Sequence, residues 1–241
     1  MHLVKDTLNA VRYLEQVSLR FALDPARATR AGFRIASELA MERRIGVRTA
    51  YRGFQRPESR LADAMPSQPL SYDALQQIER DVIRRETPLR AFVDVGCGRG
   101  RALAYLSKLP FQVMIGVEVD SEVARLAEAN VLRIRDDWRR AGPITVVIGD
   151  ALDFDVPREG AVLLLCNPFG TTTLRAVLTK MKASLDAHPE ATLDAYYAFP
   201  VHHRVFREVF PRAAASTLPC DGAPVFHYRL AGSKSERARS P

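Results

Sequence analysis

The stretch Asp94-Val95-Gly96-Cys97-Gly98-Arg99-Gly100 sets three glycines at alternate positions, directly after a short apolar run and directly before a helical one. Glycine lets the backbone turn sharply there and lets a ligand lie against the main chain with no side chain between them. An acid ends the apolar run, and the spacing is G-x-G-x-G, whereas dinucleotide-binding turns use G-x-G-x-x-G. Three later apolar runs also end in polar side chains: Glu118 in Ile115–Asp120, Asp150 in Ile148-Gly149-Asp150-Ala151, and Asn167 in Cys166-Asn167-Pro168-Phe169-Gly170. A carboxylate at Glu118, 24 residues after Asp94, can accept both ribose hydroxyls of a bound nucleoside. One at Asp150 can accept from an adenine amino group. His202 and His203 follow Phe199-Pro200-Val201, and histidine is the usual general base near neutral pH. The pair equally suits exposed residues or caps opening a helix, and no third ligand stands at metal spacing. Cys97 and Cys166 read as small buried packing residues rather than nucleophiles.

These residues need elements to hold them. From Leu3 to Phe21 apolar positions step by three and four, the pattern of an amphipathic helix. Asp24-Pro25 reads as N-cap and first residue of a second helix running to about Arg44 and closed by Gly46. Val47–Pro69 is polar, contains Pro57, Pro66 and Pro69, and is expected to be a long loop. Ser71 then caps a helix to about Arg85. After Pro88, apolar runs at Ala91–Val95, Val113–Val117, Ile144–Ile148, Ala161–Cys166 and Leu193–Phe199 alternate with helical stretches near 99–109, 121–140, 171–187 and 202–209. Continuous apolar strands separated by helices predict a mostly parallel sheet covered on both faces. Ala213–Leu218 and Val225–Leu230, joined by Asp221-Gly222, predict an antiparallel finish. The expected organisation is a helical extension over 1–88, an α/β domain over 89–231, and a basic tail over 232–241 expected to be disordered.

The four polar strand ends, in this order, resemble motifs I to IV of class I S-adenosylmethionine-dependent methyltransferases, over about residues 91–200. More narrowly, Gly46–Thr49 (GVRT), Gly96–Arg101 (GCGRGR), Pro110–Glu118 and Asn167–Gly170 (NPFG) resemble a little-characterised bacterial group of that family. The resemblance implies a Rossmann-like α/β sheet of seven strands and S-adenosyl-L-methionine as cofactor. It implies contacts to the cofactor from Asp94, Gly96, Cys97, Gly98, Gly100, Glu118, Asp150, Ala151 and Asn167. It implies in-line transfer of a sulfonium methyl, so the protein mainly aligns an acceptor and excludes water. Asn167 and Phe169 fall where the methyl emerges, and His202 is the candidate base. The N-P-P-Y/F signature of enzymes acting on amino or amide nitrogens is one proline short here, which withholds a base-methylation reading. Phe169 also suits plain packing beneath a tight turn.

Composition sets the outer bounds. An apolar fraction of 47% and a charged fraction of 26% are ordinary for a globular chain. No apolar run approaches the ~20 residues of a bilayer span, no secretory signal opens the chain, and three scattered cysteines make no disulfide framework. A cytoplasmic protein with reduced thiols is expected. The net charge of +7 is concentrated: residues 1–90 hold sixteen Lys/Arg against eleven Asp/Glu, residues 91–228 hold fifteen against sixteen, and residues 229–241 four against one. Nine arginines face three acids between Arg27 and Arg60, read here as a solvated helix face because no aromatics interleave for nucleic-acid stacking. Acceptor selection is assigned to this N-terminal part, with Arg48 and Tyr72 as candidate substrate contacts. A small-molecule or protein acceptor comes first and a nucleic acid second. A non-catalytic nucleoside-binding module and an NAD-dependent oxidoreductase stand as rivals, the latter opposed by the glycine spacing and by Asp150 and Asn167. The sequence carries no sign of oligomeric state or of the acceptor's identity.

Overall fold

The computed structural model describes residues 25–50, 69–155, 157, 160–188, 190–220 and 224–232. The expected helix over Leu3–Phe21, most of the Val47–Pro69 loop, the Asp221-Gly222 turn and nearly all of the tail lie outside the described residues. The chain divides into two compact units, Met1–Met41 and Glu42–Pro241. Helix α1 (Pro25–Ile45) starts on the expected proline and ends at Gly46, whose φ of 95° is the left-handed geometry of a helix stop. Its last turn, from Glu42, belongs to the second unit.

In the second unit, helix α2 (Tyr72–Arg84) begins where the Ser71 hydroxyl accepts from the Ala74 amide. Its buried Leu75, Ile78 and Val82 lie three and four residues apart and form one apolar stripe. The elements then alternate: β1 (Ala91–Val95), α3 (Arg101–Leu106), β2 (Val113–Glu118), α4 (Ser121–Val131), β3 (Ile144–Ile148), β4 (Ala161–Cys166), α5 (Thr171–Ala187), β5 (Thr192–Ala198), α6 (His203–Val209), β6 (Ala214–Leu218) and β7 (Val225–Ala231). The strands form one seven-stranded sheet in the order β3-β2-β1-β4-β5-β7-β6. Neighbours from β3 to β5 are parallel, and β7 runs antiparallel between β5 and β6. This is a Rossmann-like α/β sheet, mostly parallel, and the antiparallel finish falls where the sequence predicts it.

Three expectations need correcting. The stretch 121–140 is not one helix: α4 stops at Val131, because the chain turns so that the Arg135 amide can donate to the Ile45 carbonyl and the Trp138 indole to the Ala104 carbonyl. Helix α3 is likewise shorter than 99–109, since Gly100 is left-handed before it and Ser107 turns the chain after it. Nor is the sheet covered evenly. Strand β1 is buried throughout, whereas edge strand β3 leaves Val147 and Ile148 open to solvent.

The order of strands positions the site. From β1 the chain steps to β2 and β3 on one side, then returns to β4 and β5 on the other. Helices therefore leave β1 and β4 in opposite directions, and a crevice opens at their carboxyl ends. There β1 lies between both neighbours, with Asp94 paired to Gly116 of β2 and to Leu164 of β4. Beneath the crevice Val93, Val95, Leu163, Leu165, Leu174, Leu178 and Tyr197 close one face of the sheet.

Candidate functional site

A small cleft sits at these strand ends. Asp94, Gly96, Cys97, Gly98, Leu164 and Cys166 line it from the strand ends and glycine loop, together with Arg99, Arg101 and Ala102 just after the loop and Thr49, Pro69 and Leu70 from the preceding segment. Gly96 and Gly98 both take left-handed backbone, at φ 78° and 54°. At Gly96 a β-carbon would come within 2.8 Å of the Pro168 ring, so the first glycine is required where the β1 turn meets the β4 turn. The Gly96 and Cys97 amides both donate to the Val117 carbonyl, at 2.9 and 3.0 Å, which seats the loop over the end of β2. Cys97 is buried against Gly116, and burial together with the nearby Asp94 and Glu118 pushes its thiol well up, so it packs and is not ionised.

Glu118 holds this loop from the neighbouring strand. One carboxylate oxygen accepts from the Gly98 amide at 2.9 Å and the other from the Asp120 amide at 3.1 Å. Burial raises its carboxyl above the ordinary range, against the opposing pull of the Asp120, Gly98 and Val119 amides. Each oxygen retains a lone pair for a further donor. Asp94 is different. Its buried carboxylate lines the cleft with no hydrogen-bond partner among the described residues, and burial followed by the charge of Glu118 pushes it up to about 7. Cys166, on the same lining, is pushed up to about 12 by burial and by Asp94. Asp94 pairs with no cation through a hydrogen bond among the described residues, although Arg99 and Arg101 line the same cleft, so its carboxylate is open to a positive ligand.

The remaining predicted residues spread along the same edge of the sheet. Asp150 follows exposed Ile148, spends one oxygen on the Leu152 amide at 2.8 Å, and precedes buried Ala151. Asn167 has φ 43°, and its side-chain oxygen accepts from the Tyr197 hydroxyl at 2.9 Å. That hydroxyl in turn accepts from the His202 amide at 3.4 Å, and the His202 ring stands 3.3 Å from the Thr171 hydroxyl. Strand ends β4 and β5 and the start of α6 are thus one hydrogen-bonded set. Phe169 is buried in the core with Leu174 and Tyr197, so its ring supports the turn from below. His203 turns its ring edge to Phe226 at 5.4 Å. Arg48 is exposed, while Tyr72 is buried with its ring under the Arg101 guanidinium at 4.7 Å. Neither Arg48 nor Tyr72 is among the residues that line the cleft.

Sequence reasoning missed Tyr197 and Arg101. Tyr197 reads as one more apolar residue of a buried strand, and nothing in its spacing reveals the hydroxyl's partner. Arg101 enters the sequence reading only as the end of the GCGRGR run, yet it is buried against Thr49, Leu70 and Glu42. The repeated arginines of the GCGRGR run were the only available signal.

No protein-family model matches the chain, and a search of curated proteins returns no match. Solved structures do align with it. The methyltransferase domain of bacterial CtHen1 is 15% identical over 66% of this chain and 98% of that one, with a TM-score of 0.47. Magnesium protoporphyrin IX methyltransferase from Synechocystis, with bound S-adenosylmethionine, is 12% identical over 67% and 81%, with a TM-score of 0.49. A S-adenosylmethionine-dependent methyltransferase from Leishmania major is 13% identical over 66% and 72%, with a TM-score of 0.48.

Proposed function

We propose that this protein is a S-adenosylmethionine-dependent methyltransferase acting on a small-molecule or protein acceptor. The observation that carries the reading is the buried Asp94 carboxylate, without a hydrogen-bond partner among the described residues, in a glycine-lined cleft one strand away from Glu118. A ligand that brings an ammonium and a sulfonium to this cleft compensates both acids. A dinucleotide brings a pyrophosphate instead, whose charge repels both acids, while the Arg101 guanidinium on the same lining is already engaged by Thr49, Leu70 and Glu42. The same difference weighs against the NAD-dependent oxidoreductase. In this reading Asp94 meets the positive methionine end, Gly96, Cys97, Gly98 and Gly100 supply backbone, Glu118 takes the ribose hydroxyls, and Asp150, Ala151 and Asn167 border the nucleoside. The cofactor, when bound, supplies a methyl already activated on sulfur.

What is left to the chain is alignment and the exclusion of water. Asn167 stands at the β4 end with its carbonyl engaged by Tyr197, and its amide NH2 has no partner among the described residues. That leaves a donor for the acceptor's reacting group. The His202 ring beside Thr171 is the candidate base where an acceptor must lose a proton. Arg48 is offered to an anionic acceptor; the Tyr72 contact is proposed to act through Arg101. Membership of the GCGRGR and NPFG group stays part of the proposal, as does a cytoplasmic location. No helix among the described residues is long and apolar enough to cross a membrane.

Calorimetry with S-adenosylhomocysteine and with NAD tests the cofactor. Binding of the first alone is expected, and binding of NAD alone would replace the reading with a hydride-transfer one. Labelled S-adenosylmethionine with fractionated cell extract then tests the acceptor. Label in a small-molecule or protein fraction supports the proposal, and label in nucleic acid overturns its acceptor class in favour of the exposed Arg43, Arg44 and Arg48 surface.

A further inference from the structure

Gly100, the last glycine of the loop, is flanked on both sides by residues fastened to the same short segment. Before it, the Arg99 carbonyl accepts from the Asn130 side-chain amide at 3.0 Å, and that Asn130 also pairs with both backbone groups of Arg48, at 3.0 and 3.3 Å. After it, Arg101 sends the three arms of its guanidinium in three directions. Nε donates to the Thr49 hydroxyl at 2.8 Å, one terminal nitrogen to the Leu70 carbonyl at 3.2 Å, and the other to Glu42 at 3.4 Å. The same Glu42 oxygen accepts from the Thr49 amide and hydroxyl, at 2.7 and 2.6 Å, and from the Ala50 amide. Arg101 and Glu42 are only 7% and 6% exposed.

A buried ion pair is poor evidence of stability, because desolvating two charges offsets much of their attraction. This pair does have a geometric result. Thr49 and Leu70, two of the described residues that Arg101 grips, line the cleft together with Asp94 and the glycines, as Arg101 itself does. We propose that Arg101 is a positioning residue for the cofactor, resting on the methyltransferase reading above: it holds Thr49 and Leu70, both on the cleft lining, in place against the glycine loop. The loop and the 42–50 segment are then one fixture, and the cleft is assembled before any ligand arrives. A lysine cannot replace the arginine, since one ammonium cannot span three acceptors held in a fork. Preassembly appears as affinity: if the lining is in place in only a tenth of molecules, apparent binding weakens about tenfold.

The test is calorimetric titration of S-adenosylhomocysteine into the full chain and its Arg101→Lys, Thr49→Val and Thr49→Ser variants, well below their melting temperatures. Arg101→Lys and Thr49→Val should each bind about tenfold more weakly, and Thr49→Ser, which keeps the hydroxyl, should bind as the unaltered chain does. Amide exchange at Thr49 and Ala50 should speed up in Arg101→Lys with no ligand present. Should Arg101→Lys fail to fold, the two Thr49 variants decide. Variants that melt lower yet bind with unaltered affinity would make Arg101 purely structural and overturn the inference. An unaltered chain that binds no S-adenosylhomocysteine would sink the methyltransferase reading first, and this inference with it.

Discussion

Asp94 and Asp194 are buried to the same degree in one sheet, 3% and 2% exposed, yet their carboxyls lie on opposite sides of the ordinary value. Asp194, on β5, also loses solvation by burial, but His227 at 2.8 Å and Arg229 at 2.7 Å more than restore it and hold the carboxyl low. Asp81, on α2, is treated alike, with Arg85 at 2.6 Å, Arg84 and the Tyr196 hydroxyl at 3.0 Å outweighing its burial. Together these groups fasten α2 to strands β5 and β7 with their hydrogen-bonding capacity largely used. Asp94 receives burial alone, made worse by Glu118. One end of the sheet spends its buried acids on structure, and the cleft leaves one unspent. An uncompensated buried group costs stability, and under the proposed function a ligand at this glycine-lined crevice is what compensates it.

The two acids therefore carry opposite pH signatures. Asp194 has a lowered folded value, so its stabilisation is present above the unfolded carboxylate range and is lost as pH falls. Asp94 has a raised folded value of about 7, so its proton favours the folded state at low pH, and that contribution is lost as pH rises toward 7. The largest expected effect is at the paired end. Asp194→Ala strands His227 in the core and should cost about 3–5 kcal/mol in urea unfolding at neutral pH. A loss below 1 kcal/mol would show the cluster to be dispensable and the contrast empty. Asp94→Asn should instead leave the ligand-free protein as stable or more so at neutral pH.

Glu118 lies between these extremes, with its oxygens already on two amides and still able to accept. Glu118→Ala should weaken S-adenosylhomocysteine binding by roughly 1–3 kcal/mol, since it removes the acceptor for two hydroxyls and releases the Gly98 amide. Unchanged affinity would remove Glu118 from the ribose. The smallest effect belongs to Tyr197→Phe, which deletes the bond to Asn167 at 2.9 Å and should cost about 1 kcal/mol. Once an acceptor is known, turnover should fall while cofactor affinity holds. A fall in cofactor affinity alone would move Asn167 from the acceptor side to the nucleoside.

What the sequence disclosed, and what it hid, divide along the same line. Strand ends are legible because apolar runs carry or give way to polar residues at Asp94, Glu118, Asp150 and Asn167, and β1, β3 and β4 match their predicted bounds residue for residue. Helix α4 was overread because Leu132 and Ile134 continue an apolar rhythm; the turn is imposed by Ile45, some 90 residues away in the chain. The Arg101 link was invisible for the same reason, since Glu42 and Thr49 are 59 and 52 residues distant. Nor does any local pattern separate Asp94 from Asp194: both are acids within apolar strands, and only their neighbours in space differ.

The central claim is that Asp94 waits for a cation, and the pH dependence of S-adenosylmethionine binding tests it most directly. The ligand's amino group stays charged below about pH 7.7, and each unit below a carboxylate's pKa costs about tenfold when the ligand needs it ionised. Between about pH 5.5 and 7 the unaltered protein should therefore gain about tenfold in affinity and release a proton on binding, seen as a heat that changes with the buffer. Asp94→Asn should bind weakly at both pH values, with no proton released. Affinity that is flat across this range in the unaltered protein, or an Asp94→Asn variant that follows the same curve, would contradict the account.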